Sequence, residues 1–313
     1  SGDTVVVGAN RDLDESGFVS GSVYIYVRNG VNWTLQEKIK PDDISPGDIF
    51  GTFVAIDGDT IVASSRWDDD DGNNSGSVYV FERSGTNWSQ EAKLIASDAG
   101  AYDEFGTGLD IDGNTLVVNT YKSGRDNTYP RYTYIFARGA EGWVEEVKLP
   151  VPCTGARVDG DTVIARASNS IFIFERSGSE WSQKEEITAP DIATDGQYFG
   201  TGRAIDANTM VIGAPYYDEG SGNFYASAYV YIRSGTSWLQ HTRLTAPALA
   251  VGYAAHIDAV VASNFVAVSG DTVAIGVGFA DGRRGAVYVF TIDPTDRDGD
   301  GVDDDDDLFP DDP

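Results

Sequence analysis

Cysteine and histidine are almost missing from this chain. Its 313 residues include one cysteine, Cys153, and two histidines, His241 and His256. An intrachain disulfide and a cysteine-based zinc site are therefore excluded, and a histidine-rich metal centre has too few ligands. Basic residues are scarce as well: 22 Lys and Arg stand against 50 Asp and Glu, a formal charge of −28. Such a surface repels phosphate backbones and anionic lipid, which argues against nucleic-acid binding and electrostatic membrane docking. No run approaches the roughly 18 apolar residues of a membrane-crossing helix. No stretch shows the 3.6-residue period of an amphipathic helix. Ser1 enters mid-pattern with no charged-then-apolar leader, the beginning expected of a processed chain or of part of a longer one.

Glycine (36 residues) and aromatics (12%) are plentiful, a composition suited to short strands joined by tight turns. The chain also repeats itself. Gly-Asp-Thr or a near copy occurs at Gly2-Asp3-Thr4, Gly58-Asp59-Thr60, Gly113-Asn114-Thr115, Gly160-Asp161-Thr162, Ala207-Asn208-Thr209 and Gly270-Asp271-Thr272, in steps of 56, 55, 47, 47 and 63 residues. A second anchor runs in phase with it. Arg28 and Trp33, Arg83 and Trp88, Arg138 and Trp143, Arg176 and Trp181, and Arg233 and Trp238 each stand five residues apart across a polar or glycine-containing turn.

Between the anchors the sequence alternates with the period of a strand. Ser77-Val78-Tyr79-Val80-Phe81 and Ala286-Val287-Tyr288-Val289-Phe290 are two of several such segments, with β-branched and aromatic residues in the pattern of a pleated, buried sheet. A short strand such as Phe53–Ile56 precedes the first anchor through a two-residue turn of hairpin chemistry. A fourth strand, such as Trp88–Leu94, follows the tryptophan. Four antiparallel strands recurring in roughly 50 residues are the mark of β-propeller blades. The expected fold is an all-β propeller of four-stranded antiparallel blades over residues 1–294, with six repeats counted. Seven is the alternative, because Ala248–Asn264 is long enough for an extra strand and repeat 1 opens at its second strand. The repeat tryptophans are expected to pack between blades.

Phe199-Gly200-Thr201-Gly202, followed by Asn208–Ile212 and then Gly213-Ala214-Pro215, resembles the FG-GAP repeat of integrin-α-type propellers, most closely the bacterial branch. Phe50-Gly51 and Phe105-Gly106, preceded by Asp48 and Asp103, match the same opening, and Gly8-Ala9-Asn10 approximates Gly-Ala-Pro. Repeat 4 departs: Thr154-Gly155 replaces Phe-Gly and its middle loop, Ala167–Asn169, is cut short. The resemblance implies an extracellular binding scaffold, and in integrin-like members usually seven blades.

Residues 295–313 read differently. From Asp296, carboxylates fall at positions 1, 3, 5, 9 and 12 (Asp296, Asp298, Asp300, Asp304, Asp307), with Gly301 at position 6 and the Val302 carbonyl at position 7. This spacing lets a tight loop wrap a hard cation with oxygens. With Leu308-Phe309-Pro310-Asp311 after it, the segment resembles one thrombospondin type-3 calcium repeat, and Ca²⁺ is the expected cofactor. Acidic loops between second and third strands (Asp12, Asp14 and Glu15; Asp68–Asp71; Asp218 and Glu219) add a weaker calcium candidate at Asp68, Asp70 and Asn74. Asp48, Asp103 and Asp206 are expected to cap nearby backbone donors.

The expected function is a non-enzymatic, calcium-stabilised interaction module, secreted or on the cell surface and part of a larger bacterial protein. Its loop face would meet a protein or glycan ligand. It would bind no nucleic acid and insert in no membrane, and self-assembly is open to it. The alternatives are a polysaccharide lyase or glycosidase, with His256 a better candidate base than His241 and Tyr216-Tyr217 at a rim, or a structural subunit of a surface assembly. No nucleophile elbow, P-loop or dinucleotide fingerprint is present.

Overall fold

In a computed structural model the described residues are 1–121, 131–190, 198–218, 223–246, 265–277 and 285–293. The tail calcium residues Asp296–Asp307, His256 and the 248–264 stretch lie outside them. Among the described residues there is no helix. The fold class is the β-propeller, and among the described residues the blade sheets number six, the count read from the anchors.

The first sheet is β1 (Thr4–Ala9), β2 (Ser22–Asn29) and β3 (Asn32–Ile39), in that order. The second is β4 (Val54–Asp57), β5 (Thr60–Ser65), β6 (Ser77–Ser84) and β7 (Asn87–Leu94). The third is β8 (Gly108–Asp112), β9 (Thr115–Asn119), β10 (Thr133–Gly139) and β11 (Gly142–Lys148); the fourth is β12 (Thr154–Asp159), β13 (Thr162–Ala167), β14 (Ser170–Ser177) and β15 (Glu180–Thr188). In the fifth, β16 (Arg203–Asp206) and β17 (Thr209–Gly213) join a small ribbon, β18 (Tyr216–Asp218) with β19 (Asn223–Tyr225), before β20 (Ser227–Ser234) and β21 (Ser237–Thr245) close the order β16-β17-β20-β21. The sixth is β22 (Phe265–Ser269), β23 (Thr272–Val277) and β24 (Ala286–Thr291). Each named sheet is a meander of antiparallel neighbours. Among the described residues the first and sixth have three strands each.

Two compact units divide the chain: Ser1–Ala167 with Glu175–Ser182, and Ser168–Phe174 with Gln183–Pro313. In the first unit, one core joins sheets 1 and 2 through Val23, Ile25, Phe50, Ile61, Tyr79 and Phe81, and another joins sheets 2 and 3 through Val78, Val80, Phe105, Leu116 and Val118. Alternation explains the division. Val78 and Val80 leave one face of β6, and Tyr79 and Phe81 leave the other. In the second unit Val211, Val230, Val273 and Ile275 lie in a core between sheets 5 and 6.

The Phe-Gly signature has a steric cause. Phe50, Phe105 and Phe199 are fully buried and meet the third-strand tyrosines Tyr79, Tyr134 and Tyr229 at ring-centroid distances of 5.6, 5.7 and 6.0 Å. Two of these openings also cross close to the preceding blade: Phe50 N–H donates to Ser20 O at 2.9 Å and Phe105 N–H to Ser75 O at 2.8 Å. The glycine facing this crossing has no room for a side chain. A Cβ on Gly21 would stand 2.0 Å from Phe50 O, and one on Gly76 would stand 2.3 Å from Phe105 O.

Candidate interaction face

The two repeated anchors are one device. In β1–β2, Arg28 Nε donates to Asp3 Oδ1 at 2.8 Å; Arg83 does the same to Asp59 at 2.6 Å and Arg176 to Asp161 at 2.7 Å. The same guanidinium lies over its own tryptophan, at 5.7 Å for Trp33, 5.2 Å for Trp88 and 5.2 Å for Trp181. Where Asn114 replaces the aspartate, Arg138 turns to Glu82 at 2.6 Å and Glu91 at 2.9 Å. The tryptophan then reaches back to the preceding sheet: Trp88 Nε1 donates to Gln36 at 3.1 Å, Trp143 Nε1 to Glu91 at 3.3 Å and Trp181 Nε1 to Glu146 at 2.8 Å. The tryptophans thus hold blade edges together, as expected. Trp88 and Trp238 are nearly buried, while Trp33 is 44% exposed.

The Arg-to-Trp hairpins occupy one end of the meanders. The loops between second and third strands, and the connections from each fourth strand to the next blade, occupy the other. This second end holds a row of ionic clusters. In blade 1, Tyr24 OH donates to Asp12 Oδ2 at 2.6 Å and Lys38 Nζ lies 2.9 Å from the same oxygen. In blade 2, Lys93 Nζ meets Asp43 at 2.9 Å, Asp68 at 2.9 Å and Asp70 at 2.5 Å, and Tyr79 OH lies 3.1 Å from both Asp43 and Asp68. In blade 3, Tyr134 OH donates to Asp98 at 2.7 Å and Lys148 Nζ lies 2.6 Å from that carboxylate. Register explains the recurrence: Tyr24 faces Lys38, Tyr79 faces Lys93 and Tyr134 faces Lys148 across the third and fourth strands. Each lysine sits above its tyrosine ring at 5.2 Å.

These contacts tune the charges. Hydrogen bonds from Tyr24 and Lys38 hold Asp12 below the usual carboxylate pKa, and Lys148 does so for Asp98. Burial opposes the charge on Lys93, but hydrogen bonds to Asp43, Asp70, Tyr79 and Asp68 outweigh it and raise its pKa. Asp48, capped by the Ser45 N–H at 2.7 Å, is pushed up to about 6 by burial, with Asp68 and Asp69 adding to the rise.

Asp68 and Asp70, two of the three weaker calcium candidates, are thus brought together, but around a lysine ammonium. The Asp68 carboxylate is nearly buried and receives the Asp70 N–H, Ser77 Oγ, Tyr79 OH and Lys93 Nζ. Asn74, at φ +52°, gives its N–H to Asp69. In this arrangement the Asp43, Asp68 and Asp70 carboxylates meet the Lys93 ammonium. Among the described residues no three His, Cys, Asp or Glu side chains are grouped to hold a metal ion.

Several other acidic residues have structural partners. Asp14 Oδ1 accepts from Ser16 and Phe18 N–H at 2.9 Å each. Asp206 caps the turn of the following sheet rather than its own, accepting the Gly270 N–H at 2.7 Å, as Asp57 does for Gly113 at 2.8 Å and Asp112 for Gly160 at 2.6 Å. His241 lies on outer strand β21 with a buried Nδ1 that has no hydrogen-bond partner. Tyr216 stacks on Tyr225 at 4.9 Å.

Beside the blade 1 cluster lies a cleft of about 680 Å³, lined by Leu13, Glu15, Lys38, Lys40, Asp42 and Ile44 among others. Around the same end large apolar side chains face solvent: Leu13 at 58%, Phe18 at 60%, Trp67 at 39% and Tyr102 at 47% exposure. Sequence reasoning missed both features. The lysines repeat at 55-residue steps, Lys38, Lys93 and Lys148, a signal that was available. The exposed aromatics gave none beyond Trp67 being the one tryptophan out of register.

The fold and loop face define a propeller presenting variable loops at one end. The FG-GAP repeat profile matches residues 33–81, 88–136 and 181–231, three stretches of this propeller that are similar to that repeat. Among solved structures, a "putative 6-phosphogluconolactonase" of Bacteroides uniformis is similar at TM-score 0.52 and 12% identity, over 93% of this chain and 79% of that one. Sqt1 of Saccharomyces cerevisiae is similar at TM-score 0.47 and 12% identity, over 90% and 73%. The first likeness is one of fold alone. No curated protein matches in sequence.

Proposed function

We propose that this chain is a non-enzymatic interaction module that works outside the cell or on its surface as part of a larger bacterial protein. The observation that carries this reading is the loop end of blades 1–3. There Leu13, Phe18, Trp67 and Tyr102 stand in solvent on loops whose bases are clamped by the Asp–Tyr–Lys clusters. Rigid sheets with exposed apolar loop residues suit a protein or glycan partner. Immobilised chain should capture extracellular-matrix proteins or surface glycans, and the triple variant L13S/F18S/W67S should lose that capture with an unchanged melting temperature. Retained capture by the variant would place the contact elsewhere. Release of new reducing or unsaturated ends from polysaccharides by the purified chain would instead favour the glycosidase or lyase reading.

Calcium belongs to the same reading at Asp296, Asp298, Asp300, Val302, Asp304 and Asp307. Six oxygen donors at this spacing suit Ca²⁺, and without the ion the carboxylates repel one another. Calcium titration by calorimetry should show one site that D298N/D300N removes; heat unchanged in that variant would rule the tail out.

A further inference from the structure

Two large aromatic side chains in the first unit have no part in the blade repeat. Trp67 follows β5, stands outside the Arg-to-Trp register and is 39% exposed. Tyr102, in the connection from β7 to β8, is 47% exposed and holds φ at +68°, where the preceding repeat has Gly47 at +105°. A bulky L-residue is strained in this region and glycine is not. The tyrosine is therefore present against the backbone's preference, which points to work done by its side chain.

These residues share one surface. Arg66 Nη1 lies 3.5 Å from Glu104 Oε2, and its guanidinium sits 5.3 Å from the Trp67 ring. The Tyr102 N–H donates to Asn73 O at 2.7 Å, and the Glu104 N–H to Asn74 O at 3.0 Å. Gly72 packs so closely on Ala101 that an added Cβ would stand 3.1 Å from its nitrogen. Tryptophan, tyrosine and arginine are the residue types that dominate the energetics of protein interfaces.

Charge selects the partner. The two segments 66–75 and 98–104 carry Asp68–Asp71, Asp98, Asp103 and Glu104 against the one basic residue Arg66, which is paired with Glu104; from outside the segments Lys93 pairs with Asp68 and Asp70, and Lys148 with Asp98. Asp69 and Asp71, outside those lysine pairs, are exposed. Resting on the interaction-module reading, we infer that this patch docks a lysine- or arginine-rich segment of a partner protein. An apolar side chain of that segment covers Trp67 and Tyr102 while its cations meet Asp69 and Asp71.

The test uses the full chain and three labelled decapeptides, alternating Lys and Leu, Glu and Leu, or Ser and Leu, read by fluorescence polarisation at two salt concentrations. The Lys peptide should bind, with affinity falling as salt rises. W67A and Y102G should each weaken it by about ten-fold. Y102G should melt no lower than the parent, which separates lost contact from lost fold. E141Q, on the hairpin at the opposite end of sheet 3, should change nothing. The proposal is overturned if the Lys peptide does not bind, or if W67A and Y102G bind it like the parent. Preference for the Glu or Ser peptide, lost in W67A, would discard the basic partner but keep the interaction reading. If the loop variants above also retain every partner, both readings fall.

Discussion

Lys93 and Lys38 hold the same place in successive repeats but not the same environment. Lys93 answers three carboxylates, one of which, Asp68, has a side chain only 3% exposed; the Lys38–Asp12 pair is 45% and 30% exposed. Removing a partner from a buried charge costs far more than removing one from a solvated pair. K93M should therefore lose about 3 kcal/mol of unfolding free energy and K38M about 0.5 kcal/mol, read from urea denaturation. Equal losses would show that burial of Asp68 does not matter. Asp48 gives a pH prediction. Its folded pKa of about 6 lies above the ordinary 3.8, so the fold is penalised while it is ionised and gains stability as pH falls through 6. Asp110, raised mainly by burial, acts in the same direction. Asp12, Asp43 and Asp98 are lowered; their contribution is complete above the ordinary carboxylate pKa and is lost only in stronger acid. The melting temperature should rise from pH 7 toward about pH 5, and D48N should flatten part of that rise. A fall over the same interval in the parent would contradict the burial of Asp48.

At the scale of the element, the Asp–Arg–Trp link decides how each outer hairpin is held. Trp88 is 6% exposed and donates both its backbone N–H and Nε1 to sheet 1, whereas Trp33 is 44% exposed. W88A should cost about 3–4 kcal/mol and W33A about 1 kcal/mol; similar values would mean that the hairpin, not the inter-blade contact, sets the cost. The strands and turns were legible because they are local. Period-two alternation in Val78–Phe81 and the glycine turns at Gly58 and Gly85 depend on neighbours a few residues away. The bulges recurring at Ile25/Tyr26, Val80/Phe81, Ile135/Phe136 and Val230/Tyr231 were not legible. No residue type demands them; they set which third-strand tyrosine faces which fourth-strand lysine.

For the whole molecule, the dominant fact is a charge of −28. Self-repulsion opposes compactness and is screened by salt. Raising sodium chloride from about 20 to about 200 mM should raise the melting temperature by several degrees, and magnesium should do no better than its ionic strength predicts if the body holds no divalent site. A larger shift that persists in D298N/D300N would place such a site outside the tail.

The sequence by itself determined the repeat, the strand pattern, the six anchored copies and the candidate calcium spacing of the tail, because each rests on the order of residues along a few turns of chain. Tertiary structure alone decided that Asp68 and Asp70 close on Lys93, that Asp206 caps a turn in the next sheet, and that Trp67 and Tyr102 share a surface. Those pairings join positions tens of residues apart, and only the register and stacking of successive sheets bring them together.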